Sequence, residues 1–385
     1  MSAPLLCVVG ARPNFMKIAP IMAAWRARAP QRPALLLHTG QHYDESMKRQ
    51  FFEQLQIPQP DIDLGVGSGS HAVQTAQIML QFEPVLERVR PAAILVVGDV
   101  NSTVACALTA IKRGIPVVHV EAGLRSGDRS MPEEINRLIT DQLSARLYLT
   151  ERSAFDNLLR EGIESSRCRF VGNVMIDTLH HHSRAALPLA QIPALAQPQR
   201  QVAVRGAGHG VVTLHRPANV DDPQVLRRLL ETLNQIGRRL PLIFPLHPRT
   251  RAQIVQQRLE SLLDGETLLP VEPLGYLEML GLMRDARLVL TDSGGIQEEA
   301  TSLRIPTLVL RAVTERPEGV EAGVLRLVGT DEENIFNEAT CLIDNPAARA
   351  AMTTAANPFG DGHAAPRIVQ ALLNFTERIE PQSHD

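Results

Sequence analysis

At 385 residues, with 44% hydrophobic and 21% charged residues and a formal net charge of -3, the chain has the balance of an ordinary globular protein. That balance excludes a disordered chain, and the lack of any strongly basic block argues against nucleic acid as a partner. A single hydrophobic core stops growing near about 250–300 residues, so two domains are expected.

The N-terminal MSAPLLCVVGARP has no basic region ahead of its short apolar run. No apolar stretch reaches the ~20 residues of a membrane span, so a cytoplasmic protein that does not engage a membrane is expected. From there, short apolar runs ending in Gly, Asp, His, Thr or Glu recur: LLCVVG at 5–10, ALLLHT at 34–39, AAILVVGD at 92–99, IPVVHVE at 115–121 and RLYLTE at 146–151. Helix-like segments such as 71–90 and 132–145 separate them, a rhythm of βαβ units around a parallel sheet. The HHH run at 180–182 reads as surface, because three adjacent residues cannot share one helical face. Residues 186–208 lose periodicity and gather Pro, Ala, Gln and Gly, as an interdomain connection would. The alternation restarts with GVVTLH at 210–215, LIFPLH at 242–247, LVLTDS at 288–293 and TLVLR at 307–311. The expected organisation is an N-terminal Rossmann-like domain over 1–185, a second over 209–362, and a helix at 363–380 returning to the first. Cys7, Cys106, Cys168 and Cys341 are scattered without CxxC spacing, which fits reduced structural thiols better than a zinc site.

Open parallel sheets bind ligands at the carboxyl ends of their strands, so the polar residues there are the candidates, and two facing sheets would gather them around one cleft. GARPNFMK places Arg12 and Lys17 around a strand-to-helix turn, where a helix N-terminus and a guanidinium suit a diphosphate. Gly10 is its only glycine, and an ordinary βα turn with surface cations remains the alternative. Asp99, Glu121 and Glu133 are acidic residues near strand ends, and carboxylates brought together can supply both acid and base forms. Asp99 could instead cap the helix beginning near Asn101. Arg125 and Arg137 are the natural counter-charges. His215 and His247 each end a strand, and His215 beside Arg216 could stabilise a departing diphosphate. In TDSGGIQEEA, Ser293, Gly294 and Gly295 follow a strand and open a helix, so backbone N–H groups can approach a phosphate. Glu299, about one turn on, can accept ribose hydroxyls, whereas Glu298 reads as part of a solvated helical face.

Taken in order, GARPNFMKIAP, TGQHYD, GDVNST, VEAGLRS, PEEINR, VGNVMID, TLHRPAN, TDSGGIQEEA, TERPEG and LVGTD resemble the non-hydrolysing UDP-N-acetylglucosamine 2-epimerases over nearly the whole chain. The resemblance implies a GT-B fold of two Rossmann-like domains facing a cleft, a homodimer, and a UDP-N-acetylhexosamine substrate inverted at C2. It also implies a reaction without metal or nicotinamide cofactor, in which UDP leaves to give a bound 2-acetamidoglucal and then returns. Carried over, the catalytic residues are Asp99, Glu121, Glu133 and His215, and Arg12, Lys17, Arg137, His247, Ser293, Gly294, Gly295, Glu299 and Arg316 line the substrate. The chain departs from the family's usual GTRPE start with Asn14, and Met279 stands where many members place an aromatic near uracil. After Gln41 and His42, the segment expected to hold an activating second nucleotide sugar is altered, and GVGSGSH at 65–71 replaces an Arg–Gln pair.

Overall fold

The apolar runs pair as parallel strands in the computed structural model, which describes residues 3–40, 59–195, 208–263 and 265–379, the side chains of Arg12 and Ile379 apart. The chain divides into two compact units: Met1–His180 with Gly360–Asp385, and His181–Phe359.

Unit 1 runs β1 (Leu5–Val9), α1 (Arg12–Arg28), β2 (Ala34–His38), β3 (Ile62–Asp63), α2 (His71–Val89), β4 (Ala93–Val97) and α3 (Asn101–Lys112). It continues through β5 (Val117–Val120), α4 (Pro132–Leu143), β6 (Arg146–Leu149), α5 (Ser153–Arg160), β7 (Cys168–Phe170) and α6 (Val174–His182), whose last two residues fall in unit 2. The sheet order is β3-β2-β1-β4-β5-β6-β7 and every pairing is parallel. Every residue of β1, β4 and β5 is buried, as a parallel sheet covered on both faces requires.

Unit 2 runs β8 (Gly210–Thr213), α7 (Pro217–Val220), α8 (Pro223–Gly237), β9 (Leu242–Pro245), α9 (Pro248–Gln256), β10 (Leu268–Val271), α10 (Tyr276–Arg284), β11 (Leu288–Thr291) and α11 (Gly294–Ser302). Then follow β12 (Thr307–Val309), α12 (Pro317–Glu321), β13 (Leu325–Leu327), α13 (Glu332–Asp344) and α14 (Pro346–Thr354). Its parallel sheet has the order β10-β9-β8-β11-β12-β13. Helix α8 shows how the sequence period builds the core: Leu226, Leu229, Leu230, Leu233 and Ile236 recur at helical spacing and pack with Phe244 and Leu290.

The final helix, α15 (Ala364–Ile379), belongs to unit 1. Asp177 accepts from the Ala364 and Ala365 N–H groups at its start, Arg32 donates to Thr376, and the Arg146 guanidinium lies over the Phe375 ring.

Two sequence expectations change. Within 186–208, residues 187–195 are folded into unit 2, where Ile192 and Leu195 are core residues and the Leu187 N–H bonds the Leu277 carbonyl, while 196–207 lie outside the described residues. Of the three histidines, His180 and His181 are exposed, but His182 is buried with its ring edge-on to Tyr276. The helical rotation that keeps three neighbours off one face is what turns the third inward. The altered segment after Gly40, from Gln41 to Pro58, lies outside the described residues. Among the described residues, no helix is long and apolar enough to cross a membrane, and no group of three or more His, Cys, Asp or Glu is placed to hold a metal ion.

Candidate active site

Both sheets reverse strand order at one point, between β1 and β4 in unit 1 and between β8 and β11 in unit 2. In doubly wound sheets the ligand crevice opens at that switch, outside the carboxyl ends of the strands. Arg12, Lys17 and Asp99 follow the strands at the first switch and His215 and Ser293–Gly295 those at the second, while Glu121, His247 and Arg316 follow the neighbouring strands β5, β9 and β12.

In unit 1, β1 ends at Val9, Gly10 follows it, and α1 begins at Arg12, whose side chain lies outside the described residues. Asn14 closes this turn. Its Oδ1 accepts the Gly10 and Ala11 N–H groups, and its Nδ2 donates to the Val97 carbonyl at the end of β4. One turn along α1, Lys17 forms an ion pair with Glu121, so its ammonium meets a carboxylate of the site. Asn14, Lys17 and Glu121 converge on Gly98: a Cβ built there would lie 3.3 Å from Asn14 Nδ2, 3.4 Å from Lys17 Nζ and 3.5 Å from Glu121 Oε2.

Asp99 does not cap α3, whose N-cap is Val100. Its carboxylate instead takes two bonds from Arg137, from Nε at 2.9 Å and from Nη2 at 2.7 Å. Arg137 also donates to Glu134, which accepts the Ser126 and Gly127 N–H groups and is buried. Burial opposes ionisation of Glu134, yet these donors hold its carboxyl below the usual range. Glu134 thus clamps the loop ahead of α4, a role invisible in the PEE triplet. Glu133 beside it is half-buried in the first turn of α4. Rather than pressing two carboxylates together, the fold pairs Asp99 with Arg137 and Glu121 with Lys17. Arg125, the other expected counter-charge, turns away to Asp141 and Glu161.

In unit 2, His215 follows β8 with its side chain 33% exposed, and its Nδ1 lies 2.9 Å from the fully buried Asp292 that follows β11. Asp292 also accepts the His215 and Arg216 N–H groups and the Asn219 amide. Burial opposes its charge, but His215 and these donors hold the carboxyl below its ordinary value. A carboxylate so fixed orients the imidazole through Nδ1. The His247 ring lies 5.5 Å from that of His215, and burial, then His215, pushes its pKa down. Its Nδ1 accepts the Arg249 N–H as the N-cap of α9.

Helix α11 opens at Gly294 with Ser293 as N-cap, and the Ser293 side chain makes no capping bond. A Cβ added at Gly294 or Gly295 would meet nothing within 4 Å outside the helix's own backbone, so there is room beside the start of α11, while the Ser293 N–H donates to Thr291 Oγ1. Glu299 is buried on this helix. Glu298 is not a solvated residue: it is buried and ion-paired with Arg316, the residue ahead of α12. The sequence shows a helical surface there because Arg316, the partner that covers it, comes from a separate loop. Met279 on α10 is half-buried and, like Leu274 and Ile296, packs against a core cluster.

The residues the sequence did not single out are Asp141, His119 on β5 beside it, Glu134 and Asp292, and the turn-closing role of Asn14. Asp292 sits inside TDSGG, so its place between Thr291 and Ser293 was the available signal; the others lack a local pattern.

A family model described as UDP-N-acetylglucosamine 2-epimerase matches residues 27–373. The UDP-N-acetylglucosamine 2-epimerase of Methanococcus maripaludis is 38% identical over 369 residues, 95% of this chain and 97% of that protein. The UDP-2,3-diacetamido-2,3-dideoxy-D-glucuronate 2-epimerase of Pseudomonas aeruginosa is 39% identical over 375 residues, 96% of this chain and 99% of that protein. Among solved structures, the Methanocaldococcus jannaschii UDP-GlcNAc 2-epimerase in complex with UDP-GlcNAc and UDP superimposes with a TM-score of 0.84 at 38% identity, covering 96% of this chain and 99% of that one. The chain therefore belongs to the UDP-N-acetylglucosamine 2-epimerase family.

Proposed function

We propose that the protein interconverts UDP-N-acetylglucosamine and UDP-N-acetylmannosamine by eliminating and re-adding UDP. The reading is carried by Asp99 and Glu121, at the ends of adjacent strands, each paired with its own cation. Binding a nucleotide sugar needs no such carboxylates, whereas removing a proton from C2 and returning one does. In the forward direction a carboxylate takes the C2 proton as the C1–O bond to UDP breaks, leaving a C1=C2 glycal. In the return, the UDP oxygen attacks C1 and a proton is delivered to the other face of C2. Asp99, Glu121 and Glu133 take the proton-handling roles. His215, oriented by Asp292, stabilises the departing diphosphate, and His247 and Arg316 support it.

The N–H groups at Gly294 and Gly295, with the Ser293 hydroxyl, suit the diphosphate, because a helix N-terminus favours anions. Glu299 suits the ribose, and Met279 packs near the base. Arg12 is assigned to the phosphates, and Lys17 and Arg137 contribute by holding the carboxylates they pair with. No metal or nicotinamide enters this chemistry.

The likeness to the P. aeruginosa enzyme favours a second substrate, a UDP-2,3-diacetamido-hexuronic acid, with the same reaction. A homodimer is part of the proposal. Helices α2, α3 and α4 pack side by side and expose Val73, Leu80, Ile111, Ile135 and Ile139, an apolar face suited to a second copy.

Proton NMR of the purified protein with each UDP-sugar in heavy water tests the reading. Products should carry solvent deuterium at C2, NAD should have no effect, and free UDP should not accumulate. Epimerisation that retains the C2 proton overturns the mechanism. Steady accumulation of UDP with free N-acetylmannosamine would make the protein a hydrolysing epimerase instead.

A further inference from the structure

We propose that His119 and Asp141 form a positioning pair that holds the two strand ends carrying Asp99 and Glu121. The proposal rests on the carboxylate roles given above. Asp141, in the last turn of α4, is fully buried. One of its oxygens lies 2.7 Å from His119 Nδ1, and the other accepts the Gly123 N–H at 3.0 Å and Arg125 Nη2 at 2.8 Å. His119, on β5, reaches the Gly98 carbonyl through Nε2 at 2.8 Å. One carboxylate therefore reaches Gly98, immediately before Asp99, and Gly123, two residues after Glu121.

The bend between them needs holding. Glu121 has φ +71°, a left-handed conformation that non-glycine residues adopt at a cost and keep only where their surroundings over-determine it. The Glu121 and Ala122 N–H groups both bond the Tyr148 carbonyl, and Asn157 donates to the Gly123 carbonyl, so the bend is fastened from β6 and α5 as well.

The hydrogen-bond partners place the protons. Both ring nitrogens of His119 face oxygens that accept, the Asp141 carboxylate and the Gly98 carbonyl, so the ring satisfies both only by donating from both. The surrounding charges are Arg125 from the loop after β5, Glu161 beyond α5 bound to Arg125, and Arg167, which donates to the Asp141 carbonyl. Burial works against ionised Asp141, but His119 and Arg125 hold its carboxyl below the ordinary range. The pair acts on the reaction through the backbone of the two strand ends.

Two measurements test this. In the wild-type protein labelled with 15N-histidine, the His119 ring should show slowly exchanging N–H protons in both hydrogen bonds, to Asp141 and to the Gly98 carbonyl, and the absence of either overturns the proposal. In Asp141→Asn, kcat for solvent exchange at C2 should fall about 10²-fold, the penalty of misplacing a reacting group by roughly an ångström, while KM and UDP affinity stay within about threefold. A kcat close to wild type, or a raised KM with kcat unchanged, overturns it. Should Asp141→Asn fail to fold, the wild-type spectrum decides alone. That spectrum needs no substrate, so the two failures are distinguishable: wild-type protein lacking C2 exchange defeats the functional reading, whereas a missing His119 hydrogen bond defeats the positioning pair.

Discussion

The two switch-point turns both carry glycine after a strand, and for opposite reasons. At Gly10 an added Cβ would lie 2.0 Å from Ser102 Oγ and 2.9 Å from Thr39 Oγ1, so the protein's own side chains demand the glycine. Two of that turn's N–H donors are already taken by Asn14. At Gly294 and Gly295 nothing outside the helix's own backbone lies within 4 Å of the added carbon, and the Ser293 side chain makes no capping bond. Under the proposed function, the turn with room beside it is the one whose backbone is assigned to the diphosphate. The closed turn of unit 1 instead serves to seat Lys17 and Asn14 beside Glu121.

The largest expected effect lies behind the open turn. Glu298→Ala would remove the buried carboxylate ion-paired with Arg316, and a loss of about 3–5 kcal/mol in stability is expected by denaturant titration. A change below about 1 kcal/mol would mean that the helix is not pinned from that side.

Next come the roles of the two units. Asp99→Asn, Glu121→Gln and Glu133→Gln keep size but remove the titrating group, and each should lower turnover by ~10²-fold or more, about 2.7 kcal/mol in the barrier, with UDP affinity nearly intact. Ser293→Ala and Glu299→Ala should instead weaken UDP binding by calorimetry. Turnover near wild type in the carboxamide variants would remove chemistry from unit 1.

The glycines themselves give a direct test. Gly10→Ala should cost roughly 1–3 kcal/mol of stability through overpacking against Ser102. Gly294→Ala should leave stability within about 1 kcal/mol while lowering UDP affinity on the order of tenfold, since each factor of ten is about 1.4 kcal/mol. Equal outcomes at the two positions would erase the distinction between closed and open turns.

The smallest effect separates the units by acid. In unit 2, burial lowers His182 to about 4, with His181 adding to the shift, and burial also lowers His209 and His247. A histidine depressed in the folded state contributes stability that is complete above its unfolded pKa of about 6.5 and is lost as pH falls below that toward the folded value. Acidification from about pH 7.5 to 5.5 should therefore cost on the order of 1 kcal/mol through His182. The lowered carboxyls of Asp141 and Glu134 in unit 1 keep their contribution until the pH falls to the acid side of the ordinary carboxylate range. Amide hydrogen exchange should rise first in unit 2, and His182→Phe should reduce that rise. Earlier loosening of unit 1 would reverse the assignment.

The central strands were legible because each is a short apolar run closed by a polar residue, and the observed β1, β2, β4, β5, β6, β8, β9, β11 and β12 lie within such runs. The edge strands β3, β7, β10 and β13 do not stand out in the same way. They are two to four residues long, and with one neighbour each they need less of the continuous apolar character that marks a strand covered on both faces. Pro270 further disguises β10, where an edge position tolerates it. Glu298 and His182 depart from the sequence expectation for a shared reason: helical spacing tells which residues share a face but not what comes to cover it.

By itself the sequence determined the two α/β sheets, the family, and the strand ends where polar residues gather, because hydrophobic period and turn chemistry are local. Only the tertiary structure decided which charge meets which. Lys17 and Glu121 are 104 residues apart, Asp99 and Arg137 are 38 apart, and His215 and Asp292 are 77 apart. Such pairs exist because parallel strands bring distant chain ends to one sheet edge, and no periodicity along the chain records which neighbours that edge will have.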